Sequence, residues 1–261
     1  MLKKTSQSFI SKSKYLISNS GRFSSTTTID DREIKHFQQQ SQQWWDQEDA
    51  NPLYTMSALR IPFIRDGLIS TGITNTKFHN SSFPLTDLNI LDVGCGGGYV
   101  SEPLARLGCK VVGIDATDDL INVAQERAKR DTTLSNLTYK ATTIEEFSPE
   151  NLAAFDAVVA SEVIEHVNDQ ARFVSECVKC LKPEGSIFLT TVNKTPASRL
   201  FVICIAEAIG TVPKGTHDYD KFIAPHTLQR LLENDNCHTK MIHGMFYNFF
   251  TNKWSWIRDT S

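Results

Sequence analysis

Two clusters in this 261-residue sequence combine residue types and spacings that can do chemistry. The first is Asp92-Val93-Gly94-Cys95-Gly96-Gly97-Gly98, a turn rich in the residue that tolerates backbone conformations closed to side chains. Such a turn brings the main chain close to a ligand and offers amide donors at the start of a following helix. Asp115 lies 21 residues beyond Gly94, at the end of the next apolar run, where a carboxylate can accept both hydroxyls of a ribose. A helix cap is the plainer role for Asp115, and it leaves that spacing unexplained. A dinucleotide loop sets its third glycine three residues after the second, so that helix amides meet a pyrophosphate. Here Gly96 to Gly98 are contiguous, and Asp92 precedes the turn.

The second cluster is Glu162, Glu165 and His166. On a helix, positions i, i+3 and i+4 share a face, so two carboxylates and an imidazole would converge. Hard oxygens with one nitrogen suit Mg²⁺ or a similar divalent ion. Without a metal, the same residues can cap a helix or contact a ligand, and His166 alone can serve as general base. His217 and His226 are further candidates for base or substrate contact. Cys177 and Cys180 have the CxxC spacing of a metal or redox pair. They fall within an amphipathic helical stretch with no second cysteine pair, which points to structural thiols.

The elements that must position these residues follow from the hydrophobic pattern. Asn89 to Gly94 is a short apolar run ending in glycine, Tyr99 to Leu107 has helical spacing, and Lys110 to Asp115 is a second buried run: one βαβ unit. Asp118 to Arg130 reads as a helix, Leu137 to Thr142 and Phe155 to Ala160 as strands, Gln170 to Leu181 as a helix, and Ser186 to Thr191 as a fifth strand. The alternation predicts an α/β, doubly wound, Rossmann-like sheet with ligands at the carboxyl ends of its strands. Helical segments from about Asp31 to Trp45 and from Tyr54 to Ile69 form an N-terminal flank, and Thr71 to Thr86 a polar linker.

The net charge of −3 gives no general attraction to polyanions, so nucleic acid is not an expected partner. The first 29 residues carry Lys3, Lys4, Lys12, Lys14 and Arg22, many Ser and Thr, and no acidic residue. That is the composition of a mitochondrial transit peptide, with a cut expected among Phe23 to Thr28; a disordered serine-rich tail is the alternative. The expected organisation is therefore a transit peptide at 1–29, N-terminal helices and linker at 30–86, and the main domain at 87–261.

The acidic strand end before contiguous glycines is similar to the first motif of class I S-adenosylmethionine-dependent methyltransferases, in which this turn holds the amino acid part of the cofactor. Phe155 to Val167 and Leu181-Lys182-Pro183-Glu184-Gly185 resemble the fourth- and fifth-strand motifs of that superfamily. Trp44-Trp45-Asp46, Ala58 to Ile64, Leu91 to Gly98 and Val212-Pro213-Lys214-Gly215-Thr216-His217-Asp218 narrow the choice. Together they resemble the ubiquinone biosynthesis O-methyltransferase family in its mitochondrial form, from about Phe37 to Asn248. The resemblance implies S-adenosylmethionine contacts at Arg60, Gly94, Asp115 and Ser161, to which the loop reading adds Asp92 and Gly96. It implies methyl transfer to a catechol hydroxyl of polyprenylated ubiquinone precursors, with Glu162 and His166 catalytic and Mg²⁺ held by Glu162, Glu165 and His166. Implied partners are the polyprenyl catechol, a ubiquinone biosynthesis enzyme complex and an anionic membrane, touched peripherally on the matrix side of the mitochondrial inner membrane.

An isolated phenol has a pKa of about 10, so a metal or a base must stabilise the phenolate. Leu200 to Val212 is apolar, too short to span a bilayer, and flanked by Lys194, Arg199, Lys214 and Lys221. Within an insertion at about 194–222 it suits either core packing or docking on an anionic surface. The superfamily sheet closes with a two-strand hairpin, of which His238 to Tyr247 supplies only the first strand convincingly, so the final strand is expected to be either missing or replaced. Two other readings stay open: the same fold acting on another small molecule, and a non-catalytic scaffold of a biosynthetic complex.

Overall fold

The computed structural model describes residues 28–29, 34, 38, 44–45, 51–191, 193, 222–248 and 250–257. Five strands, β1 (Asn89–Val93), β2 (Lys110–Asp115), β3 (Leu137–Ala141), β4 (Phe155–Ser161) and β5 (Leu181–Thr190), form one sheet ordered β3-β2-β1-β4-β5. Every pairing in it is parallel. From β1 the chain winds one way to β2 and β3 and the other way to β4 and β5. That reversal opens a crevice at the carboxyl ends of β1 and β4.

Helices cover both faces, which is why β1 and β4 are almost continuously apolar. They are α1 (Pro52–Ser70), α2 (Ser101–Arg106), α3 (Asp118–Ala128), α4 (Ile144–Phe147), α5 (Gln170–Lys179) and α6 (Pro225–Asn234). Leu91, Val93, Val158 and Ala160 join Phe173, Val174 and Cys177 of α5 in one core. Ile90, Ala157 and Val159 join Ile64 and Leu68 of α1 and Leu104 of α2 in the other. Side chains alternate along a strand, so Asp92 and Ser161 fall on the α1 and α2 face. There they come within reach of Arg60 on α1 and Ser101 on α2.

The start of α1 is set locally: Pro52 occupies the first helical turn, and the Asn51 side chain accepts from the Leu53 amide at 2.9 Å. β5 begins at Leu181 rather than Ser186, because its register against β4 shifts between Phe155 and Ala157. The shift takes up Lys182 to Gly185, with Glu184 at φ 64°. Cys95, Cys109, Cys177 and Cys180 are free and buried. Burial pushes the Cys177 thiol well above its usual range, as expected of a structural thiol.

The closing hairpin differs from expectation. Gly244–Asn248 (β6) and Lys253–Ile257 (β7) pair antiparallel, so the second strand does form. Among the described residues the pair makes a two-stranded sheet of its own. Aromatic anchoring explains both facts. Trp254 lies 5.0 Å from Tyr247 across the pair and donates through Nε1 to Pro52 O at 2.9 Å, while Trp256 packs 5.5 Å from Phe63 of α1.

At the other end, the Thr28 hydroxyl donates to Glu145 Oε1 at 2.5 Å and Ile29 bridges Val167. These two residues, at the margin of the expected transit peptide, are part of the folded body. Ile34 and Gln38 are helical and Trp44 and Trp45 lie in a turn. The rest of the 1–29 leader, most of the 31–45 helix, and the Leu200–Val212 and Pro213–Asp218 segments with His217 lie outside the described residues.

Candidate active site

The carboxyl ends of the strands gather most of the residues singled out in the sequence. Arg60 is only 4% exposed. Its Nη1 donates to Ser161 Oγ at 2.5 Å, and its Nη2 donates to Ser57 Oγ at 3.1 Å and to the Leu53 carbonyl. Ser161 Oγ also shares a hydrogen bond with Thr190 Oγ1 at 2.7 Å. Nε of Arg60 is buried without a partner. Leaving that donor unmet so far from water has a cost, which an anionic ligand group at this position would relieve.

Asp92 is 1% exposed and accepts from Ser101 Oγ at 2.5 Å. Burial raises its pKa to about 7, against the opposing effects of the Ser101 hydrogen bond and the Arg60 charge. Asp115, at the end of β2, accepts the Gly96 amide on Oδ2 at 2.9 Å and the Thr117 amide on Oδ1 at 2.8 Å. Burial raises its pKa, and those amide bonds oppose the shift. Its capping role is therefore real, but each carboxylate oxygen keeps a second lone pair for a ligand hydroxyl.

The glycine turn is built differently from an anion cradle. The Gly94 and Cys95 amides donate to Ile114 O at 2.8 and 3.0 Å, and Gly98 donates to Cys95 O at 3.0 Å. With the Gly96 amide bound to Asp115, these donors face inward, and they are not available to a pyrophosphate. Gly94 sits at φ 68°, and a Cβ there would lie 2.4 Å from Val163 Cγ2. Gly97 is needed for close approach, since its Cβ would lie 2.3 Å from the Trp44 ring.

Glu162, Glu165 and His166 do not form the expected helical face. Glu162 adopts φ 56° and lies before a short 3₁₀ turn, Ile164–His166. With three residues per turn and a left-handed residue at its entry, the i, i+3, i+4 alignment is lost. Glu165 is 6% exposed, and its Oε2 accepts from Thr191 Oγ1 at 2.9 Å. Burial, with the Glu162 charge adding, raises its pKa to about 7, while His166 opposes the shift. Among the described residues no group of three His, Cys, Asp or Glu side chains converges to hold a metal ion. As arranged, these residues do not fit the expected Mg²⁺. His226 is exposed on α6.

Sequence reasoning missed the aromatic cover of the turn. Trp45 donates through Nε1 to Gly97 O at 3.0 Å and meets Tyr99 edge-on with ring centres 4.4 Å apart. Trp44 stacks on Tyr99 at 5.4 Å, and the Tyr99 hydroxyl donates to Trp44 O. The adjacent tryptophans and the tyrosine after the glycines were the available signal. Ser101, Thr190 and Thr191 had none, because single hydroxyl residues are common everywhere.

Comparison with known proteins agrees with this geometry. A profile described as "Methyltransferase domain" matches residues 91–189. The ubiquinone biosynthesis O-methyltransferase of rat mitochondria is 46% identical over 242 residues, 92% of this chain and 69% of that protein. The protein of the same name from Pelagibacter ubique is 38% identical over 239 residues, 90% of this chain and 95% of its own length. The mitochondrial one from Dictyostelium discoideum is 41% identical, covering 87% and 74%. The chain spans 64% of the mouse, cattle and human relatives it matches. Among solved structures, magnesium protoporphyrin IX methyltransferase from Synechocystis superposes with a TM-score of 0.54 at 20% identity, over 79% of this chain and 83% of that one, which confirms the fold. A switch-point site with inward-turned glycine amides, a buried Arg60 and paired acids, in a chain so similar to these relatives, establishes that it belongs to the ubiquinone biosynthesis O-methyltransferase family of S-adenosylmethionine-dependent enzymes.

Proposed function

We propose that this chain transfers the methyl group of S-adenosylmethionine to a catechol hydroxyl of a polyprenylated intermediate in ubiquinone biosynthesis. The observation that carries the reading is the row of Arg60, Asp92, Asp115 and Ser161 at the strand ends, in a chain with relatives named for that pathway. The row suits a zwitterion joined to a ribose. In this reading Arg60 Nε takes the carboxylate, Asp92 the ammonium and Asp115 the hydroxyls, whereas a pyrophosphate would meet two buried carboxylates.

When bound, S-adenosylmethionine supplies an electrophilic methyl on a sulfonium whose sulfur keeps the bonding electron pair as the methyl leaves. The chain must orient the phenol and remove its proton. His166, half-buried beside the strand ends, accepts the phenolic proton on its imidazole, and the Glu165 carboxylate stabilises the imidazolium in the molecules in which it is ionised, a share that grows as pH rises through about 7. Glu162 adds a second negative charge at that position. Because the three side chains do not converge as a ligand set, no step is assigned to Mg²⁺.

The proposal extends to place and partners: peripheral contact with the anionic matrix face of the mitochondrial inner membrane, beside the other enzymes of the pathway. Its support is the acid-free basic leader, the apolar stretch from Leu200 to Val212 between cations, and mitochondrial relatives. No helix of the described residues is long and apolar enough to cross a membrane. The test is transfer of labelled methyl to a short-chain prenyl dihydroxybenzoate, with and without chelator. Labelled product in both arms is expected. Cofactor binding without transfer would remove the catechol substrate, and activity lost to chelator and restored by Mg²⁺ would overturn the metal-free scheme.

A further inference from the structure

We propose that Arg127, remote from the reacting atoms, is a positioning residue that holds Trp45 against the glycine turn and thereby sets affinity for the methyl donor. The inference rests on the cofactor reading above and adds a residue to it.

Arg127 lies in the last turn of α3, the helix that follows Asp115. Its guanidinium carbon sits 3.5 Å from the centre of the Trp45 ring, at the distance of a stacked cation–π pair. Its Nε lies 3.2 Å from Glu102 Oε1, and the Glu102 side chain is only 2% exposed. The other Glu102 oxygen pairs with Arg106 at 3.0 Å, and Arg106 pairs with Asp131 at 2.9 Å. A carboxylate so buried needs its cations, and burial raises its pKa against their pull. Arg127 is thus drawn on one side to a buried anion by its ion pair, and its guanidinium carbon lies over the Trp45 ring.

Trp45 transmits this placement. Its Nε1 holds the Gly97 carbonyl at 3.0 Å, and its ring meets Tyr99 and Tyr54 edge-on at 4.4 and 5.9 Å. The Glu102 amide donates to Gly98 O at 3.1 Å, so Glu102 also touches the turn through its backbone. Gly97 and Gly98 are therefore gripped from two directions by one network, although Arg127 itself touches neither. A planar cation is required, because a lysine ammonium cannot both stack on an indole and pair sideways with a carboxylate.

The test measures S-adenosylhomocysteine binding by calorimetry and steady-state kinetics for the wild-type chain, Arg127→Leu, Arg127→Lys and Trp45→Phe. Arg127→Leu should raise the Kd and the KM for S-adenosylmethionine about tenfold, the scale of a desolvated cation–π contact. The kcat at saturating cofactor should fall far less than KM rises. Arg127→Lys should recover only part of the loss, and Trp45→Phe, which keeps a ring but lacks the donor to Gly97, should fall between. Should Arg127→Leu fold poorly, Arg127→Lys carries the same comparison. Unchanged Kd in Arg127→Leu, or a lower melting temperature with unchanged Kd, would overturn the inference. Failure of the wild-type chain to bind would instead overturn the cofactor reading beneath it.

Discussion

Asp92 gives the sharpest test of how the site works, because burial has moved its titration into an accessible range. With a pKa of about 7 and the cofactor absent, about ten in eleven molecules carry a protonated Asp92 at pH 6.0 and about one in four at pH 7.5. If the ionised form must meet the cofactor ammonium, protonated molecules have to lose a proton before binding. Affinity for S-adenosylhomocysteine should then strengthen about eightfold between those two pH values, with one proton released per ligand at the lower pH. Calorimetry in two buffers of different ionisation enthalpy reads both quantities. Asp92→Asn should bind weakly, with a flat profile. The sign for stability runs the other way. A carboxyl whose pKa is raised on folding is best accommodated when protonated, so its contribution is intact below the ordinary value of 3.8 and is lost as pH rises through 7. The ionised form costs the ligand-free fold roughly 4 kcal/mol at the upper end, a cost that Asp92→Asn removes. Wild-type affinity that stays constant from pH 6.0 to 7.5 would refute the assignment of Asp92 to the ammonium.

Other residues give simpler outcomes. Asp115→Ala leaves the Gly96 and Thr117 amides without their acceptor and removes the ribose partner, so cofactor Kd should rise by about two orders of magnitude in the same titration. Gly98→Ala forces a Cβ to 2.3 Å from the Tyr139 hydroxyl at a φ of 97°, and urea unfolding should show a loss of roughly 1–3 kcal/mol or more. Thr28→Val deprives buried Glu145 of its hydroxyl donor at 2.5 Å. It should cost about 1–3 kcal/mol in the same assay.

The order of strands and helices was legible in the sequence because buried parallel strands between amphipathic helices leave a strong pattern. Residues 89–94, 110–115 and 155–160 became strands within a residue or two of their expected ends. The glycine turn, Asp92 and Asp115 were legible for the same reason, since each is fixed to a strand end by short-range geometry. What distance along the chain hides was decided only by folding. The alternation of β1 and β4 turned Asp92 and Ser161 toward α1, and the packing of α1 on that face brought Arg60, 101 residues from Ser161, into hydrogen bond with it. The Glu162 to His166 spacing was legible too, but it implied a helix. A left-handed Glu162 followed by a 3₁₀ turn kept the three side chains from forming a metal-ligand set, because the backbone leaving a strand end answers to its tertiary neighbours before side-chain periodicity. The hairpin failed as an expectation for a related reason: β7 is recruited by Pro52, Phe63 and Tyr247, partners that no local pattern announces. Sequence alone therefore pointed to the cofactor class, through a turn whose geometry is local and whose motif resembles that of a known family. Tertiary structure decided which charges stand together, because that depends on contacts between elements far apart in the chain.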